Sequence, residues 1–119
     1  MSSAPRKWKF RIRHMLEAIA HCQDFRRGLD EAQLSADALR LHAVCWELMT
    51  IGEASCHVPP EIEASYPEVP WAIMRGMRNH IVHGYDRIKI EVVWEVISAD
   101  LPPLVPILER ILEEGNEPT

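Results

Sequence analysis

The sequence predicts an all-α helical bundle. Apolar residues recur at helical spacing through four long stretches. No stretch alternates apolar and polar residues as a half-buried strand does. Helix-punctuating residues fall between the stretches: Gly28, Val58-Pro59-Pro60 and Pro70.

The first helix is expected from Lys7 to Arg26. Phe10, Ile12, Met15, Leu16, Ile19 and Cys22 share its apolar side, and Gly28 is the stop signal. His14, Glu17 and His21 also recur three and four residues apart, but with no further ligands evident they read as a surface stripe rather than a metal face. Residues 29–35 form a connection with a short helical turn. Ser35 is the expected N-cap of a second long helix, Ala36 to His57. Leu41, Val44, Leu48, Ile51 and Ser55 make its buried stripe, and Cys45, Trp46 and Met49 widen it. Gly52, Ala54, Ser55 and Cys56 are small, so this end is expected to cross another helix closely. Glu53 sits among them and needs a partner, because an unpaired buried charge is costly.

Val58-Pro59-Pro60 ends that helix, and Glu61 to Ser65 is expected to form a single turn. After the connector Tyr66–Pro70, a third long helix runs from Trp71 to about Gly84, with Pro70 at its entry. Asp86 to Lys89 is a turn. The last pattern is the most regular: Ile90, Val93, Trp94, Ile97, Leu101, Leu104, Val105, Leu108 and Ile111. It continues in phase through Pro102, Pro103 and Pro106, which predicts a kink or break near Asp100. Residues 1–6 and 115–119 are expected to fray.

At 119 residues, 47% of them apolar and 26% charged, the chain reads as one globular domain spanning 1–119. No apolar run approaches the ~20 residues of a membrane span. The start, Met1 to Lys7, has cations without the apolar segment of a signal peptide. Cys22, Cys45 and Cys56 are odd in number and lack metal-ligand spacing, so they read as reduced thiols in a cytoplasm. A net charge of −5 argues against simple nucleic-acid binding, but the charge is uneven. Arg6, Lys7, Lys9, Arg11 and Arg13 precede the first carboxylate, Glu17. This basic start suits either a local hold on a phosphate backbone or a solvated helix start.

The densest chemistry lies in Arg78-Asn79-His80-Ile81-Val82-His83-Gly84-Tyr85. On a helical wheel, Trp71, Ile73, Met74, Met77, Ile81 and Val82 form a broad apolar arc. Arg75, Asn79 and His83 form a polar stripe on the other side. Arg78 falls inside the apolar arc, so its guanidinium must snorkel outward, pair with a carboxylate (Glu53 is the best candidate) or face a second subunit. A histidine transfers protons near neutral pH, a guanidinium holds a phosphate bidentately, and an asparagine orients either. Together they suit attack of an RNA 2′-hydroxyl on its own phosphate. A structural histidine and an ion-pairing arginine explain the same residues without catalysis.

The motif Arg78-x-x-x-x-His83-x-Tyr85, with polar Asn79 after the arginine, resembles that of the HepT-like toxins of the HEPN superfamily. Ile51-Gly52-Glu53-Ala54, Val69-Pro70-Trp71, Gly76-Met77-Arg78-Asn79, Val93-Trp94 and Asp100-Leu101-Pro102 follow in that family's order, so the resemblance extends from about Phe10 to Leu112. It implies an antiparallel four- to five-helix bundle that forms a homodimer, with two motifs in one cleft. It implies metal-independent RNA cleavage without a cofactor, with Arg78, His83 and Asn79 as catalytic residues. Tyr85 would stack on RNA and accept AMP from an MntA-type nucleotidyltransferase antitoxin. Arg75 and His80 are candidate RNA contacts, with His80 surface- or partner-facing. The alternative is a non-catalytic nucleotide- or RNA-binding or interaction module with the same partner. Because Arg78 and His83 lie about 140° apart on an ideal helix, the site needs an unwound end near Gly84 or a second subunit.

Overall fold

A computed structural model describes residues 7–84 and 87–117. Those residues form helices and connectors, with no strand among them. The helices are α1 (Lys9–Arg26), α2 (Glu31–Ala36), α3 (Ala38–Ser55), α4 (Pro60–Ser65), α5 (Trp71–Gly84), α6 (Ile90–Glu95) and α7 (Leu104–Glu114), with a π-helical segment Val96–Asp100 after α6. The dimensions are 49 × 29 × 21 Å. Among the described residues, no helix is long and apolar enough to cross a membrane.

Two residues beyond the end of α1, Gly28 has a φ of 78°, which is left-handed and favours glycine. Asp30 then starts α2 with a capping box: its side chain accepts from Gln33 N at 2.8 Å, and Gln33 Oε1 accepts from Asp30 N at 2.9 Å. The expected cap Ser35 lies inside α2. Asp37 caps α3 instead, accepting from Arg40 N at 3.1 Å. A carboxylate two residues later served equally well, and the capping box extended the preceding helix over Ser35.

Helices α1 and α3 are the centre of the bundle. Helix α3 packs between α1 and α5, and α1 also packs on α7 and the π-helical segment. Ile12, Met15, Ile19, Val44, Ile51, Ile97, Leu108 and Ile111 are among the fully buried side chains. The C-terminal pattern keeps its phase across its interruption, since Val93, Ile97, Leu101, Leu104, Leu108 and Ile111 are all buried. Pro102 and Pro103 lack the N–H groups that would bond the carbonyls four residues back. Leu101 N donates instead to Val96 O at 2.8 Å, five residues back, and Gln23 Nε2 donates to Ile97 O at 2.8 Å.

Gly115–Glu117 follow α7 outside regular helix. The Glu117 carboxylate accepts from Trp8 N at 2.7 Å and Lys9 N at 2.6 Å, which supplies the cap that Trp8 itself lacks at the start of α1. Those bonds hold its carboxyl below the usual carboxylate range. Trp8 lies directly against Gly115, where a Cβ would strike the indole. Residues 1–6, 118 and 119 fall outside the described residues.

Candidate active site

The site begins where α3 crosses α5. A Cβ built on Gly52 would stand 2.8 Å from Arg78 N and 2.9 Å from Met74 O, so the two backbones touch there. This contact seats Arg78 against α3 one residue from Glu53, and Arg78 Nε lies 3.1 Å from Glu53 Oε2. Both side chains are half-exposed, so the pair is a wet, partly screened one. His57 Nε2 lies 3.2 Å from the other carboxylate oxygen. The His57 hydrogen bond and the nearby Arg78 charge hold the Glu53 carboxyl below its ordinary range. Glu53 thus anchors the guanidinium from one side and leaves it open to solvent on the other.

Asn79, His80 and His83 are exposed, and none makes a side-chain hydrogen bond within the described residues. Helix α5 stays helical through Gly84, so the unwound end, one of the two alternatives, is absent among the described residues. Arg78 and His83 therefore remain on different sides of one intact helix. Arg75 is committed elsewhere: its Nη1 lies 2.6 Å from Glu63 Oε1 on α4. Tyr85 lies outside the described residues. No group of three or more His, Cys, Asp or Glu among the described residues could hold a metal ion.

The apolar arc of α5 is narrower than the wheel suggests. Trp71, Met74 and Ile81 are buried, but Ile73 is 72% and Val82 51% exposed. The cause is position: α5 packs mainly on α3 alone, so only one narrow face is covered. Trp46, assigned above to the buried side of α3, is 64% exposed, and Phe10 on α1 is also exposed.

Trp46 lines a groove of about 330 Å³ between α1 and α3, with Arg11, His14, Met49, Glu53, Ala54 and Arg78. Phe10 contacts two of these residues, with the Arg11 guanidinium 4.7 Å from its ring centroid and the His14 ring edge-on at 5.6 Å. Sequence reasoning missed Arg11, His14, Trp46 and His57 as neighbours of the Arg78–Glu53 pair. The usable signal was the i, i+3, i+7 spacing of Trp46, Met49 and Glu53, which puts a tryptophan on the same face of α3 as the carboxylate.

The family described as "Ribonuclease HepT-like" matches residues 15–111. A protein of Thermococcus cleftensis named "Probable ribonuclease HepT" is 30% identical over 106 residues, covering 89% of this chain and 96% of that protein. A "Putative RNase" of Caldanaerobacter subterraneus subsp. tengcongensis is 26% identical over 103 residues, 87% of this chain and 92% of its own length. A Methanocaldococcus jannaschii protein named "Gamma-glutamylcyclotransferase and putative RNase" is 27% identical over 106 residues, 89% of this chain and 48% of that longer protein. No solved structure matches the chain significantly.

Proposed function

The chain belongs to the ribonuclease HepT-like family, and on that premise we propose that it is an endoribonuclease toxin of a toxin–antitoxin pair, acting in the cytoplasm as a homodimer without a metal. The observation that carries this reading is the setting of Arg78. It is pinned by backbone contact at Gly52, held from behind by Glu53, and open in front, on the same intact helix as an exposed His83.

In the reaction, one His83 takes the proton from a ribose 2′-hydroxyl. The oxygen attacks the adjacent phosphorus, and the bond to the 5′-oxygen breaks. The His83 imidazolium of the second protomer returns a proton to that leaving oxygen, giving a 2′,3′-cyclic phosphate and a 5′-hydroxyl. Arg78 stabilises the charge that builds on the equatorial phosphate oxygens, and Asn79 orients the histidine or the phosphate. The angular separation of Arg78 and His83 supports a cleft completed by the second copy. A nucleotidyltransferase partner of the MntA kind neutralises the toxin by joining AMP from ATP to the Tyr85 hydroxyl, with release of pyrophosphate. The added phosphate repels RNA from the cleft.

Incubation of RNA with wild type and His83→Ala, each with and without a chelator, tests the reading. Chelator-resistant cleavage that His83→Ala abolishes is expected. Cleavage equal in both proteins, or absent from both, refutes it, and binding without cleavage favours the non-catalytic module. For the modification, intact mass after co-expression with a nucleotidyltransferase should rise by AMP units in wild type and not in Tyr85→Phe.

A further inference from the structure

The chemistry proposed for the cleft makes no use of the groove that runs from Arg78 across α3 to Trp46. Three features of that groove point to one kind of ligand. The first is the indole. Trp8 and Trp71 are buried and Trp94 is half-buried against Arg26, whereas Trp46 is 64% exposed and covers no core. The second is Arg11, which forms no ion pair among the described residues and whose Nε is covered yet without a hydrogen-bond partner. The third is the charge balance. Glu53 is the sole carboxylate among the lining residues and is already engaged by Arg78 and His57, while Arg11 and Arg78 both face the same space. The groove is thus locally cationic in a chain of net charge −5.

A flat aromatic face beside guanidinium groups matches a nucleotide, whose base stacks and whose phosphate carries the charge. Trp46, Met49 and Glu53 follow one stripe of α3, so the groove leads from the indole to Arg78. We propose that this groove is a ribonucleotide subsite, in which a base flanking the cleaved phosphodiester stacks on Trp46 and its phosphate lies between Arg11 and Arg78. The assignment rests on the reading of Arg78 as the centre of cleavage. Stacking requires only a π-face, so the subsite tolerates any base. A protein partner fits less well, because two guanidinium groups, a histidine and a carboxylate share the walls with the indole, Met49 and Ala54.

The test uses full-length His83→Ala protein, which would bind RNA without cutting it. A short single-stranded oligoribonucleotide is titrated in while tryptophan emission is followed. Saturable quenching is expected, lost in the same protein carrying Trp46→Leu. Affinity should fall about tenfold or more with Trp46→Leu and stay within a few-fold with Trp46→Phe. Arg11→Ala should weaken binding and reduce the slope of log affinity against log salt by about 0.7. Thermal melting of each variant checks that an exposed substitution has left the fold intact. Unchanged affinity in Trp46→Leu overturns the proposal. So does altered sedimentation of Trp46→Leu with RNA affinity retained, which would assign the indole to a contact between protein chains. If Trp46→Leu loses binding while unmutated protein cleaves no RNA, the subsite stands and the ribonuclease reading falls. If unmutated protein cleaves and Trp46→Leu binds as before, the reverse holds.

Discussion

The contact at Gly52 permits a sharp test, because the chain offers a second helical glycine as its control. Gly52→Ala adds a methyl group that must sit 2.8 Å from Arg78 N and 2.9 Å from Met74 O. Both obstacles are backbone atoms, so relief requires α3 and α5 to move apart rather than a side chain to swing away. Gly76 lies in α5 with nothing within 4 Å of the added carbon. Each substitution gains about 0.8–1 kcal/mol of helix propensity. Gly52→Ala alone incurs the overpacking cost of about 1–3 kcal/mol. Gly76→Ala should therefore be stabilising, and Gly52→Ala less stable than it by about 1–3 kcal/mol. At about 3–5 °C per kcal/mol for a domain of this size, the melting temperatures should differ by at least about 3 °C. Urea titration should show the same order with unchanged slope. Because the nearer obstructing atom is the backbone nitrogen of Arg78 itself, Gly52→Ala should also lower RNA cleavage under conditions where it stays folded. A Gly52→Ala protein that melts at or above Gly76→Ala would refute the backbone contact, and the seating of Arg78 with it.

Three further outcomes are expected. Wild-type and His83→Ala proteins, unfolded together in equal amounts and refolded, should show about a quarter of the activity of the same total of wild type, because only the wild-type homodimer, about a quarter of the mixture, carries both His83 residues; about half the activity would show that each protomer works with its own His83 alone. Glu117→Gln should lower the melting temperature near neutral pH. Because the carboxyl is depressed below its ordinary value of 4.5, its contribution is complete above that value and fades as pH falls through the folded one, so the two melting curves should converge in acid; a pH-independent gap would contradict the cap. In native protein one thiol, Cys56, should react promptly with a disulfide reagent near pH 8. Cys22, pushed up to about 12 by burial, and Cys45, also raised by burial, should react only as the protein opens; three fast thiols would contradict the packing.

Much of this architecture was legible because its signals are local. Pro70 and the apolar phase after it mark α5 as Trp71–Gly84. The position of Arg78 inside an apolar arc demanded a partner, and the small residues around Glu53 placed a carboxylate at a close crossing, which is where the ion pair lies. What escaped depends on which neighbours are present. A wheel gives the phase of Ile73, Val82 and Trp46, but it does not say that α5 rests mainly on one helix or that nothing covers the outer side of α3 at Trp46. The groove joins residues from α1, α3 and α5, so no window of sequence contains it. Asp37 displaced Ser35 as a cap through competition between two acceptable residues, which propensity alone does not decide.

The bond from Glu117 to the first turn of α1 joins residues 108 and 109 positions apart. Synthesis runs from the amino end, so α1 and the whole of α3 and α5 emerge before their most distant contact exists. A nascent chain shortened by even a few residues before Glu117 begins its first helix with two amides unmet. This bond can therefore form only once Glu117 has emerged, and a residue more than a hundred positions downstream completes the first turn of structure.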